Sequence, residues 1–190
     1  MANKHVMIVK GSPRGNGNSS LLADKVAEGV QDAGGEVETY SLQTMDIRPC
    51  DACEACHEFK GGGCIIDDDM QKLYPRLLSA DAVVLASPVY WFSVSAQMKL
   101  FIDRWYALES PEGNPLSGKQ FGIVLTYGDI DPYTSGAINA IHMFRDIFHY
   151  MRAEIAGVVY GSASNPGDIL KQPDILEKAY QLGHKLGTPQ

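Results

Sequence analysis

Two stretches of this chain carry residue types whose spacing can do chemistry. The first is Gly11-Ser12-Pro13-Arg14-Gly15-Asn16-Gly17-Asn18-Ser19-Ser20, which follows the apolar run His5 to Lys10 and precedes an amphipathic pattern beginning near Leu21. Three glycines let the backbone turn tightly, and Ser12, Asn18, Ser19 and Ser20 offer donors where helix amides and the positive end of the helix dipole converge. That arrangement cradles a phosphate. A Walker A loop needs Lys then Ser or Thr after its last glycine, and Gly17 is followed by Asn18. The dinucleotide pattern G-x-G-x-x-G is approached by Gly15, Gly17 and Ser20, but its third glycine is missing. A small-molecule monophosphate remains; the plain alternative is a polar strand-to-helix turn that binds nothing.

The second stretch holds all 4 cysteines of the chain, Cys50, Cys53, Cys56 and Cys64, in the pattern C-x2-C-x2-C-x7-C. Thiols this close together suit a metal. The C-x2-C-x2-C start has the spacing by which one loop wraps three corners of a cubane iron-sulfur cluster, and Gly61 to Gly63 give the fourth thiolate room to close round it. Free thiols or a labile redox pair, and zinc, stay open on spacing alone, although structural zinc sites usually pair two separated C-x2-C knuckles. His57 could replace a ligand, but four thiolates suffice. Asp67, Asp68 and Asp69 read as a helix cap that complements the dipole of a helix from Met70. His142, Arg145, His149 and Arg152 share a helical stripe that reads as solvated or partner-facing surface.

The elements that must position these residues follow from periodicity. Apolar runs at His5 to Val9, Val37 to Leu42, Ala82 to Ser87, Phe121 to Thr126 and Ile155 to Tyr160 read as five strands, with the third and fourth apolar enough for burial on both faces. Helical spacing lies between them at Leu22, Val26 and Val30, at Met70, Leu73 and Leu77, at Met98, Ile102 and Trp105, and at Ile141, Phe144 and Phe148; a last helix follows Pro173. The alternation predicts an α/β fold, one domain over residues 1–190, with a doubly wound five-stranded parallel sheet and helices on both faces. In such sheets ligands bind at the carboxyl ends of strands, so the loops after strands one, three and four are the informative ones. The third is followed by Pro88, Val89, Tyr90, Trp91 and Phe92, whose aromatics must cover something, and a planar ring is a natural occupant; the fourth leads into Thr126-Tyr127-Gly128-Asp129. Residues 43–63 form the one long connection without clear periodicity, within a cysteine-rich connection over residues 43–67.

At 190 residues and 45% hydrophobic, the chain is long enough for a full core, and its net charge of -7 argues against a nucleic-acid groove. No apolar run approaches a membrane span and no signal-peptide layout opens the chain, so a cytoplasmic address is expected. The aromatic bulk of residues 95–108 reads as core plus a subunit interface, in a homodimer or homotetramer.

The GSPRGNGNSS loop, the SPVYW segment and the TYGD loop, in this order and at these separations, resemble the NADPH-dependent FMN reductase and iron-sulfur flavoprotein branch of the flavodoxin-like superfamily, over essentially the whole chain. The resemblance implies FMN, with its 5′-phosphate on Ser12, Arg14, Asn18, Ser19 and Ser20. It implies an isoalloxazine against Pro88, Val89, Tyr90 and Trp91, with Thr126, Tyr127 and Gly128 closing the far side. Amides around Tyr90 to Phe92 and Tyr127 to Gly128 would tune the flavin. Asp129 and Asp131 depart from relatives that are richer in glycine there. Cys50, Cys53, Cys56 and Cys64 would ligate a [4Fe-4S] cluster. The implied activity passes electrons from NAD(P)H, or from ferredoxin if the cluster is present, to a quinone, an oxygen species or another small acceptor. A flavodoxin-type electron carrier between protein partners is the alternative, favoured by the acidic surface and disfavoured by the cysteines.

Overall fold

Period-two alternation in the strands sorts the core into two layers. In the computed structural model, which describes residues 3–58 and 63–189, five parallel strands lie in the order β2 (Glu36–Ser41), β1 (His5–Lys10), β3 (Ala82–Tyr90), β5 (Gln120–Tyr127), β6 (Glu154–Ser162). Met7, Val9, Val83, Leu85, Phe121, Ile123 and Leu125 face one way, and they pack on α3 (Met70–Ser79), α4 (Ala96–Asp103) and α5 (Ala137–Met151). Their neighbours Val6, Ile8, Val84, Ala86 and Val124 face the other way, onto α1 (Asn18–Asp32) and α6 (Pro173–Gly187). Central β1, β3 and β5 are buried almost throughout, whereas the edge strands β2 and β6 are mostly half-buried. This is the doubly wound sheet that the alternation predicts, in the flavodoxin-like strand order that the resemblance implies.

Two differences from the sequence reading matter for the site. Helix α1 begins at Asn18, inside the polar loop, because Gly17 is extended and already accepts the Leu21 amide. Strand β3 runs on to Tyr90 and turns back as a two-residue antiparallel strand, β4 (Ser93–Val94), pairing Tyr90 with Ser93. Helices α1 and α6 touch at backbone distance: a Cβ on Gly183 would lie 1.9 Å from the Val26 carbonyl oxygen. That contact fixes the axis of α1, and with it the direction of its amino terminus.

Candidate flavin site and cysteine pocket

The amino terminus of α1 has the amides of an anion site and no internal group to use them. Its cap, Gly17, has no side chain to bond them, and no acidic residue stands in the first turn. The Leu21 amide is the first to bond back along the helix, so the amides ahead of it lack an intrahelical acceptor. Ser19 adds a hydroxyl that is buried yet has no hydrogen-bond partner among the described residues. An orphaned buried donor costs about 1–3 kcal/mol unless a ligand satisfies it.

The other residues of the cradle divide by what their polar atoms are already doing. The Ser12 hydroxyl accepts the Arg14 amide at 3.1 Å, and the Ser20 hydroxyl donates to the Arg14 carbonyl at 3.3 Å, which folds the loop over itself. Arg14 extends its side chain into solvent at the rim. Asn18 is different: its amide donates to the carbonyls of Ala163 and Asn165, at 3.1 and 2.9 Å, while its oxygen accepts from the amides of Gly167 and Ile169, at 2.9 and 3.4 Å. Both donors and both lone pairs are spent. Asn18 is a strut between the cradle and the loop after β6.

Loops from four strand ends meet above this terminus. Ser12, Arg14, Asn18 and Ser19 line one cavity of about 270 Å³ together with Pro88, Val89, Tyr90, Thr126, Tyr127 and Gly128. Gly17, Ala163 and Ser164 complete the lining; sequence reading missed the last two, because the strut that brings them in spans 145 residues. Ser95, another residue not singled out, locks the floor: its hydroxyl donates to the Gly11 carbonyl at 2.6 Å and caps α4 by accepting the Met98 amide, while its own amide donates to the Ser87 hydroxyl. Burial pushes the Tyr127 hydroxyl pKa up, with the nearby Tyr160 and Asp131 acting in the same sense, so Tyr127 stays a neutral donor.

Ser20, Trp91 and Phe92 do not line the cavity. Trp91 and Phe92 form the turn between β3 and β4, both in the left-handed region at φ 46° and 64°, unusual for bulky residues. Trp91 is 93% exposed at the tip, while Phe92 folds back on Gly136 at the start of α5, where a Cβ would meet it at 2.5 Å. The acidic third loop is occupied with itself. Asp131 accepts the Tyr133 and Thr134 amides, which lowers its pKa, and Asp129 accepts the Ile130 amide.

The four cysteines lie in the connection between β2 and α3, which carries the one-turn helix α2 (Ala55–Glu58). Cys50, Cys53, Cys56 and Cys64 line a small pocket of about 20 Å³, closed on one side by Arg104. Ala52 and Glu54, one in each C-x2-C spacer, are left-handed at φ 54° and 58° and bend the loop round the thiols. Burial raises the Cys56 thiol pKa, with Cys64, Glu54 and Cys50 adding to it. All four are free, and among the described residues no three cysteine, histidine or acidic groups stand within holding distance of one metal ion. Of the expected glycine slack, Gly61 and Gly62 lie outside the described residues. His57 turns away and packs its ring edge-on against Tyr106, at 4.5 Å between centroids.

The acidic triplet does more than cap a helix. The Asp68 carboxylate accepts the Met70 amide, as a cap would, but it also accepts the Arg48 amide and pairs with the buried guanidinium of Arg104, which holds its pKa down against the opposing effect of burial. Asp69 accepts the Asp46 amide with one carboxylate oxygen and pairs with Lys72 of its own helix through the other. Phe101 and Trp105 are core, and Tyr106 leaves the core to bond Glu54 of the cysteine loop at 2.8 Å. The aromatic bulk of residues 95–108 therefore serves both the core and this loop.

A doubly wound sheet with an uncapped helix terminus, an aromatic loop and a third closing loop at its carboxyl edge is a flavodoxin-like architecture whose donors and apolar walls have the chemistry to hold a phosphorylated planar ligand. The family model of NADPH-dependent FMN reductases matches residues 5–165, and the chain belongs to that family of FMN-dependent NAD(P)H oxidoreductases. It is 32% identical to YwqN of Bacillus subtilis, a protein provisionally named as an NAD(P)H-dependent FMN-containing oxidoreductase, over 93% of this chain and 95% of that one. It is 35% identical to the iron-sulfur flavoprotein MJ1083 of Methanocaldococcus jannaschii, over 95% and 94%. A solved structure of the Trp repressor binding protein of Bacillus subtilis superposes with TM-score 0.69 at 31% identity, over 94% of this chain and 99% of that one. No described helix is long and apolar enough to cross a membrane.

Proposed function

We propose that the chain binds FMN in the cavity above α1 and passes electrons from NAD(P)H to a small acceptor of the quinone class. The orphaned Ser19 hydroxyl at an uncapped helix terminus carries this reading, because it is a buried donor in need of an anion. The α1 amides, Ser12 and Ser19 would hold the phosphate, with Ser20 tying the loop from behind through the Arg14 carbonyl and Arg14 covering the phosphate from the rim. Asn18 contributes by keeping Ala163 and Ser164 in the wall. Pro88, Val89 and Tyr90 would support one side of the ring system, with Thr126, Tyr127 and Gly128 closing the other. FMN supplies the redox chemistry, so the side chains need only bind, orient and exclude water. Trp91 and Phe92, strained and partly exposed beside this mouth, suit contact with a donor, an acceptor or a second copy of the chain in a homodimer or homotetramer.

The four cysteines, in this reading, hold a [4Fe-4S] cluster. Four soft thiol donors around one pocket, in a loop bent by two left-handed residues, have the right chemistry; the loop must draw in for all four to reach one group. A cluster there would let a ferredoxin serve as donor. The test is an anaerobic preparation, with FMN, iron and sulfide counted per chain. One FMN whose absorbance bleaches on adding NADH or NADPH and returns with a quinone supports the enzyme, and four irons per chain support the cluster. Tight FMN binding with no NAD(P)H oxidation by any acceptor would favour an electron carrier instead.

A further inference from the structure

Arg104 is the largest fully buried side chain in the described structure, and it does not lie in the flavin cavity. It lies against the cysteines. One terminal nitrogen bonds the Arg48 carbonyl at 2.8 Å and the Asp68 carboxylate; the other donates to the Cys64 sulfur at 3.2 Å and to Asp68 at 3.3 Å. Its Nε has no partner among the described residues. Arg104 lines the thiol pocket and Asp68 does not, so the ion pair presents its positive end to the cysteines and keeps its negative end behind.

A buried ion pair is a poor way to stabilise a fold, since well-packed apolar residues of like volume commonly do as well or better. A buried cation also carries a desolvation cost that its neighbours must offset, and here one of its donors remains unspent. The location gives this charge a use. Four thiolates around a metal centre gather negative charge in one small pocket, and a fixed cation at its wall lowers the energy of every added electron. Tyr74 holds the Arg104 carbonyl at 2.9 Å, and Arg48 and Asp68 fix the guanidinium, so the charge is immobile.

We propose that Arg104 is a positioning and potential-setting residue of the cysteine site: it orients Cys64 and raises the reduction potential of the thiolate-bound centre, with Asp68 tuning its strength. This rests on the reading that the cysteines hold an iron-sulfur cluster. It predicts shifts of opposite sign from two variants. Asp68→Asn leaves the cation uncompensated and should make the cluster easier to reduce. The double variant Arg104→Gln with Asp68→Asn removes both charges, and with them the nearer positive one, and should make the cluster harder to reduce. A merely structural pair would not move the potential in two directions.

The experiment is anaerobic reconstitution of the full FMN-bound chain with iron and sulfide, followed by redox titration of the cluster signal by electron paramagnetic resonance. Iron content and FMN content are measured on every variant. Opposite shifts at wild-type iron stoichiometry are expected. Unchanged potentials, or two shifts of the same sign, in variants that load iron normally would overturn the role of Arg104 and leave the cluster reading standing. If the two variants load no iron, Arg104→Lys, which keeps the charge, is titrated in their place: an unchanged potential with Cys64 still ligated supports the role, and a potential that falls as far as in a Cys64→Ser chain overturns it. A wild-type chain that takes up no iron sinks the cluster reading and this proposal together.

Discussion

The proposed flavin cradle and the cysteine pocket belong to one domain fold, but they are built in opposite ways. The cradle is made of element ends: β1 stops, α1 starts, and the α1 axis is set by backbone contact with α6. The pocket is made from a long irregular connection that leans on the segment after α4, through Arg104 to Cys64, Tyr106 to Glu54 and His57 to Tyr106. A site assembled from helix and strand termini is organised before its ligand arrives. A site in a connection depends on a few side-chain ties and on the group it binds. The two should therefore respond separately to perturbation.

The largest expected effect tests how far the cradle depends on the helix pair. Gly183→Val places branched carbons where the Val26 carbonyl already sits, and only separation of α1 from α6 can relieve the clash. The cost should be about 3 kcal/mol, roughly 6–12 °C in melting temperature for a chain of this size, followed by calorimetry. FMN affinity should fall with it, while the accessibility of the cysteines to alkylation changes little. Equal loosening of both regions would mean that they are not independent.

Ser19→Ala should act on function alone. Losing a donor to the phosphate weakens FMN binding by about 10- to 100-fold, the range for a hydrogen bond to a charged group. The FMN-free protein should be as stable as wild type or slightly more so, because the orphaned hydroxyl is gone. Fluorescence titration and thermal melts on the same preparation read both; a destabilised FMN-free variant would show that Ser19 is structural.

Acid should loosen the cysteine region. Arg104 holds the Asp68 pKa below its unfolded value of about 3.9, so the pair contributes its full stability above that value and loses it as pH falls through the lower folded value. Between pH 4 and pH 2 the stability of wild type should therefore fall more steeply than that of the Asp68→Asn, Arg104→Gln double variant. Urea melts across that range give the slopes, and parallel slopes would contradict the assignment.

The smallest effect is expected from Cys53→Ser, since Cys53 is exposed and forms no core contact. Stability of the metal-free chain and FMN affinity should both stay within about 0.5 kcal/mol of wild type. A change of tenfold or more in FMN affinity would show that the two sites communicate.

The cradle was legible in sequence because its chemistry is local: glycines, hydroxyl residues and the switch from strand to helix period fall within ten residues. The aromatic loop was half legible. Tyr90 lines the cavity, but the turn that aims Trp91 and Phe92 away depends on the pairing of Tyr90 with Ser93, which an apolar run does not reveal. Asn18 shows a deeper limit, for it looks like a phosphate donor until Ala163 to Ile169 are folded against it. Arg104 was invisible for the same reason. Its partners Asp68, Arg48 and Cys64 lie 36, 56 and 40 residues away, and nothing in helical spacing marks an arginine as buried.

The central claim is that the α1 terminus is an FMN phosphate site, and titration of the FMN-free chain with FMN and with riboflavin tests it most directly. Tight binding of one FMN per chain, with riboflavin at least about 100-fold weaker, is the predicted result. Equal affinity for the two, or no retention of FMN, would contradict it.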